Sequence, residues 1–164
     1  MPIESMEDLY VALLEDSYDS EKQIVKALPK MAQAAEAPEL KEAFKIHLEE
    51  TTGQVERLEE IFGMLEVSPR NKTCDATKAL IKEANDLITA TPQSGVKDAG
   101  LIANAQKVEH YEIASYGTLC EFAKLLGFDD QAELLEETLN EEKATDKKLT
   151  ALAEGSINEL AEAA

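Results

Sequence analysis

From Ser94 to Gly127 the chain reads SGVKDAGLIANAQKVEHYEIASYGTLCEFAKLLG, with no proline and none of the β-branched alternation of a strand. At about 100° per residue, Ile102, Ala105, Ile113, Tyr116, Cys120 and Ala123 fall on one stripe, so the segment is predicted to be a long amphipathic helix C. Ser94 is its candidate cap and Gly127 its stop. Two acids, Glu109 and Glu112, lie inside the apolar stripe, where a helix facing a core should carry none.

Working outward, Thr91-Pro92-Gln93-Ser94-Gly95 punctuates the chain before helix C. A shorter helix is predicted from about Asp75 to Thr89, in the connection that follows helix B. Helix B starts at Pro38, a first-turn proline, and carries Phe44, Leu48, Val55, Leu58, Phe62 and Leu65 up to a loop near Ser68-Pro69. Helix A opens with Ser5 as N-cap and Asp8 three residues on, and presents Leu9, Leu13, Leu14, Ile24, Val25, Leu28 and Met31 at helical spacing, with a kink expected at Pro29. Beyond Gly127, helix D runs from near Asp129 to about Glu154-Gly155, leaving a short frayed tail over about 156–164. The fold class is therefore all-α: one four-helix domain over residues 1–164, with a short extra helix in the long B–C connection. Short A–B and C–D turns make two antiparallel hairpins, and the long connection can place B and C parallel, the one-crossover topology of ferritin-like bundles. A plain up-down bundle is the alternative that periodicity leaves open.

Composition narrows the function. Hydrophobic residues make up 44% of the 164, enough for a single core of this size, and charged residues 30%. Against 16 Lys and Arg stand 34 Asp and Glu, a formal charge of −18 that repels phosphate backbones and anionic lipid, so neither nucleic acid nor a membrane is an expected partner. A solvated acidic surface accounts for most of that charge; attraction of metal cations is the sharper reading. No stretch is apolar enough to span a bilayer, and Met1-Pro2-Ile3-Glu4 lacks the basic start and apolar run of a secretory signal, which points to the cytoplasm. Cys74 and Cys120 have no metal-ligand or disulfide-framework spacing. Cys120 shares the apolar stripe of helix C.

The acids on apolar faces carry the chemistry. Glu21 sits in the middle of the helix A stripe of Leu14, Tyr18, Val25, Leu28 and Ala32. Glu109 and Glu112 sit on helix C, and Glu142 and Asp146 within the helix D stripe of Leu135, Thr138, Leu149, Leu152 and Ala153. An ionised carboxylate buried without a partner costs several kcal/mol. No comparable set of Lys or Arg shares these stripes, so protons, water or hard cations such as iron or manganese must neutralise the acids. On helix B, His47 and Gln54 lie nearer the stripe centre than Glu50. A π-bulge at Gly53 is the distortion that would turn Glu50 inward. The Glu-x-x-His pairs of an ideal di-iron bundle are missing, because Gly53 and Thr145 stand three residues after Glu50 and Glu142.

Four segments carry a family resemblance: Ser20-Glu21-Lys22-Gln23, His47-Leu48-Glu49-Glu50-Thr51 with Gly53-Gln54, the run from Gln106 to Gly117, and Glu141-Glu142-Lys143-Ala144-Thr145-Asp146. Across nearly the whole chain they resemble the YciF-like bacterial stress proteins of the ferritin-like superfamily. Glu109-x-x-Glu112 is similar to the paired helix C glutamates of rubrerythrins. The resemblance implies a homodimer, a dinuclear metal motif and a role in stress response. Carried over position by position, it implies Glu21, Glu50, Glu109 and Glu142 as the helix carboxylates of a dinuclear iron or manganese site, with Gln54, Glu112 and Asp146 as additional ligands. The absent histidines depart from the di-iron pattern.

The leading functional expectation is a metal-binding stress protein whose two ions handle oxygen or peroxide. The alternative is a non-catalytic structural or interaction bundle with a vestigial site, and whether the chain is an enzyme stays open at this level. His110 falls off the apolar stripe and reads as a surface or interface residue; His47 reads equally as ligand or core. Tyr18 and Tyr116 share buried faces with the acids, either to pack or to hydrogen-bond them.

Overall fold

The computed structural model describes residues 2–164; Met1, part of the N-terminal stretch read above for a leader, lies outside them. Four long helices, α1 (Met6–Ala34), α2 (Pro38–Met64), α4 (Gly95–Leu126) and α5 (Asp129–Leu152), form the bundle, and α3 (Asp75–Ala90) packs across α1 and α4. A π-helical turn, Ala153–Ile157, and the short α6 (Asn158–Glu162) complete the chain. No helix among the described residues is long and apolar enough to cross a membrane.

Local chemistry fixes the helix ends. Ser5 and Asp8 form a full capping box: the Asp8 amide donates to Ser5 Oγ and the Ser5 amide to the Asp8 carboxylate, both at 3.0 Å. Pro38 occupies the first turn of α2, where its missing N–H costs nothing. Gly127 ends α4 at φ 77°, a left-handed conformation that strains any residue with a Cβ. Ser94 does hold the N-cap position of α4, but its hydroxyl donates to the Pro92 carbonyl and leaves the helix amides alone. Pro29 stands inside an α1 that continues to Ala34. Helical backbone continues past Gly155 through the π-turn to Glu162, where the sequence reading placed a frayed tail, and Ile157 is buried in the core there.

The topology follows from one side chain. Asp98, in the first turn of α4, accepts hydrogen bonds from the amides of Glu36 and Ala37, just before α2, each at 2.7 Å. Helices α2 and α4 therefore start at the same end of the bundle and run parallel. The connection between them must cross the bundle's length, so the up-down alternative is excluded and the fold is a ferritin-like helical bundle. Helix α1 packs against α2 and α4, and α5 against α4 and α2.

The core is divided in two. One half centres on Ile24, Leu28, Phe44, Leu101, Ile102 and Leu149; the other on Tyr10, Leu14, Leu58, Ile61, Leu119 and Leu135. Each such side chain gains about 1.5–3 kcal/mol by leaving water, so the two halves hold the four helices together. Between them lies a layer that gains nothing of the kind, because its buried residues are polar.

Candidate metal centre

Every bundle helix contributes to this layer: Glu21 from α1, His47, Thr51 and Gln54 from α2, Glu109 and Glu112 from α4, Thr138 and Glu142 from α5. All are at most 3% exposed. Thr51 satisfies itself by donating to the His47 carbonyl at 2.7 Å. The acids cannot do this, because a carboxylate only accepts.

Some partners are in place. Tyr116 donates to Glu21 Oε1 at 2.5 Å, and Gln54 Nε2 donates to Glu142 Oε1 at 2.5 Å and to Glu141 Oε2 at 2.9 Å. His47 Nε2 lies 3.1 Å from Glu109 Oε1, off the line of a hydrogen bond. What is left is a set of buried atoms with no hydrogen-bond partner: one oxygen each of Glu21, Glu109 and Glu142, both oxygens of Glu112, Gln54 Oε1 and His47 Nε2. Each buried orphan costs about 1–3 kcal/mol, and here they are gathered in one layer.

His47, Glu109, Glu112 and Glu142 each offer one ligand atom, and those four atoms lie within 4.8 Å of one another. Ligands on opposite sides of an ion with bonds near 2.1 Å are about 4.2 Å apart, so a cation needs only a slight contraction of this cluster. The donors are carboxylate oxygens and one imidazole, a set that suits hard or borderline divalent metals. The residues present fit a metal ion, and the cluster could hold one.

Electrostatics favour the same chemistry. Burial raises Glu21 to about 7, against the lowering effect of the Tyr116 hydrogen bond. Burial, then the charges of Glu21, Glu142 and Glu109, hold Glu112 well above the usual carboxylate range. Glu142 is likewise held high by burial and by Glu109. For His47, burial acts downward, but the Glu109 charge and the contacts to Glu109 and Glu50 outweigh it and leave the imidazole well above its ordinary value. Without a cation the layer therefore stores protons, and a metal would displace them.

The sequence-derived candidates divide accordingly. Glu109, Glu112 and Glu142 stand in the four-residue cluster, Glu21 and Gln54 lie buried in the same layer, and His47 is the fourth member of the cluster. Glu50 does not reach that cluster. Helix α2 keeps ordinary α geometry through Gly53, so the expected π-bulge is absent, and Glu50 stays at the layer's edge with its side chain 35% exposed. There it accepts from Thr145 Oγ1 at 3.3 Å and lies 3.6 Å from His47 Nδ1. That contact with His47 is the chief cause of its lowered pKa. Asp146 does not join the cluster either: it lies 3.3 Å from the exposed His110 and accepts from Gln106 at 3.1 Å. Tyr18 bonds Glu59 rather than a core acid.

Arg57, unremarked in the sequence, reaches across from α2 to Glu137 and Glu141 at 2.6 and 2.7 Å. These acids occupy the guanidinium, so it leaves the buried layer's negative charge uncompensated. Its signal in the sequence was the pair Glu137/Glu141 at helical i, i+4 spacing, a fork for one arginine.

Comparison with known proteins agrees with this architecture. The family model described as "Domain of unknown function (DUF892)" matches residues 5–162. Over 163 residues the chain is 49% identical to protein YciF of Escherichia coli (strain K12), covering 99% of this chain and 98% of that one. The crystal structure of the E. coli stress protein YciF superposes with a TM-score of 0.92, covering 95% of this chain and 99% of the other. YcfI from Rhodopseudomonas palustris, 47% identical, superposes at 0.87 over 90% of this chain and 94% of its own. A Xanthomonas campestris protein at 24% identity and TM-score 0.74 shares the fold.

Proposed function

We propose, from the premise that this chain belongs to the DUF892 family and is YciF-like, that it is a bacterial stress-response protein whose buried carboxylate layer binds a pair of iron or manganese ions and handles oxygen or peroxide. The observation that carries the reading is the set of orphaned buried oxygens and one imidazole nitrogen contributed by all four bundle helices. Bound ions would supply the redox change. The chain's own residues would do the rest: Glu109, Glu112, Glu142 and His47 would hold one ion, and Glu21 and Gln54, buried in the same layer, would serve the second. Tyr116 orients Glu21. Glu50, at the solvent edge beside His47, would add a further carboxylate at the rim of the layer.

Metal analysis of protein purified without chelator, followed by anaerobic Fe(II) titration and an oxygen-consumption trace, tests this. Two ions per chain are expected; no bound transition metal and no Fe(II) uptake would defeat it. A second reading, a metal-free structural bundle, draws on Glu50 and Asp146 lying outside the cluster and on the residues Gly53 and Thr145 where the di-iron pattern has histidine. It predicts that Glu142→Gln changes no ion binding. Pairing of two copies belongs to the same proposal, and light scattering at twice the chain mass is its expected result.

A further inference from the structure

Against the metal centre lies a cavity of about 30 Å³, set in the apolar half of the core that holds Ile24, Leu28 and Phe44. Hydrocarbon walls it almost entirely. Its polar lining residues are His47 and Glu109, which belong to the four-residue metal cluster, and Thr145, which contacts His47 and Glu50. The half-buried Ile81 of α3 and Ala27 of α1 line it on the side of the crossing helix. We propose that this cavity is a docking chamber for a small uncharged apolar molecule, dioxygen, held in contact with His47 and Glu109.

Size and lining select the occupant. About 10–15 Å³ suffices for one water-sized probe, so the chamber accommodates a diatomic molecule or a single large atom. Water needs two to four polar partners and finds them here only from His47, Glu109 and Thr145, while the rest of the lining is hydrocarbon, against which an apolar gas gains by leaving water. Hydrogen peroxide, with two donors and four lone pairs, is disfavoured for the same reason. The crossing helix takes part through Ile81, its contribution to the chamber wall. It rests on the metal reading for its consequence, delivery of dioxygen to the ions, but the chamber itself does not depend on a metal.

The test uses the metal-free full chain. Crystals pressurised with xenon are expected to hold a xenon atom bounded by Leu28, Phe44 and Ala105, and dissolved dioxygen is expected to relax the methyl protons of Leu28 and Val108 more strongly than those of Leu135 in the other half of the core. Ala105→Leu fills the space and should abolish both signals; Ala27→Leu at the rim serves if that variant fails to fold. Absence of xenon at this position, or equal relaxation at all three residues, overturns the proposal. Xenon binding together with failed Fe(II) uptake would sink the metal reading and uphold the chamber; Fe(II) uptake without xenon would do the reverse.

Discussion

The phenol of Tyr116 on α4 donates a 2.5 Å hydrogen bond to Glu21 Oε1 on α1, with both side chains sealed from solvent. Burial is the larger influence and raises the acid to about 7; that bond is the foremost influence in the other direction, ahead of the His47 charge and the contact with Glu112. Tyr116→Phe removes the donor while keeping the ring. The carboxyl pKa should rise further, metal-free stability at neutral pH should drop by about 1 kcal/mol in urea unfolding, and the pH midpoint of Co(II) uptake should move upward. An unchanged midpoint would count against Glu21 as a residue that feels the ion.

Glu142 and Glu112 lead to a pH prediction with a definite sign. Both have folded pKa values held well above those of an unfolded glutamate, burial being the main cause. Their contribution to metal-free stability is therefore fully present below the unfolded value, about 4.3, and is lost as pH rises toward and through the folded values. Glu142→Gln should flatten that loss and stabilise the metal-free protein at pH 8. If the layer binds Fe(II) or Mn(II) as proposed, the same substitution should abolish the stabilisation expected from the ion, about 2.7 kcal/mol at a hundred times the dissociation constant. Paired melts with and without Mn(II) at pH 6 and 8 measure both effects.

Much of this centre was legible in the sequence, and the parts that were not share one cause. A helical stripe gives the angle of a residue about the axis, which is why Glu21, Glu109, Glu112 and Glu142 could be read as inward-facing. It does not give height. Asp146 lies at nearly the same angle as Glu142 but one turn, about 6 Å, further along α5, where it meets Gln106 and His110. Glu50 lies outside the four-residue cluster for the opposite reason: it shares the height of the layer, but its angle at the stripe edge is not corrected by any distortion of α2. His47 stays open in the sequence because a lone histidine near a stripe reads equally as core or ligand until its neighbours are known. The helices themselves were easy to place, since capping signals at Ser5, Pro38 and Gly127 agree with the periodicity. The π-turn after Leu152 was not, because Gly155 looks like a stop and nothing local announces that Ile157 will find the core.

Asp98 makes the parallel arrangement of α2 and α4 testable. Its carboxylate holds two amides of the α1–α2 turn, and hydrogen bonds to a charged acceptor are worth about 1.5–3 kcal/mol each. Asp98→Ala should cost at least about 2 kcal/mol in urea unfolding, whereas Asp98→Asn, which keeps an acceptor oxygen, should recover part of it. Hydrogen exchange at Glu36 and Ala37 should accelerate in the alanine variant and leave amides near Glu142 unchanged. Uniform acceleration would mean that Asp98 supports the whole bundle rather than this junction.

Arg70 tests the first part of the crossing connection. The Glu15 carboxylate on α1 is buried and receives the Arg70 backbone amide at 2.9 Å, Nε at 2.9 Å and Nη2 at 2.5 Å. Lys72 adds a second tie to Asp16 at 2.7 Å. The guanidinium hydrogen bonds are the main reason that Glu15 is held below the ordinary glutamate value, ahead of the opposing effect of burial. A lowered folded pKa contributes stability that is present above the unfolded value, about 4.3, and lost as pH falls through the folded one. Arg70→Ala strands a buried carboxylate with only the backbone amide, so the variant should be about 2 kcal/mol less stable at pH 7. Arg70→Lys keeps the charge but not the paired geometry and should fall between the two. The gap between wild type and Arg70→Ala should narrow in urea unfolding below pH 4, where protonation of Glu15 removes the stranded charge. A gap that stays constant across this range would assign the loss to the packing of the arginine stem and not to the ion pair.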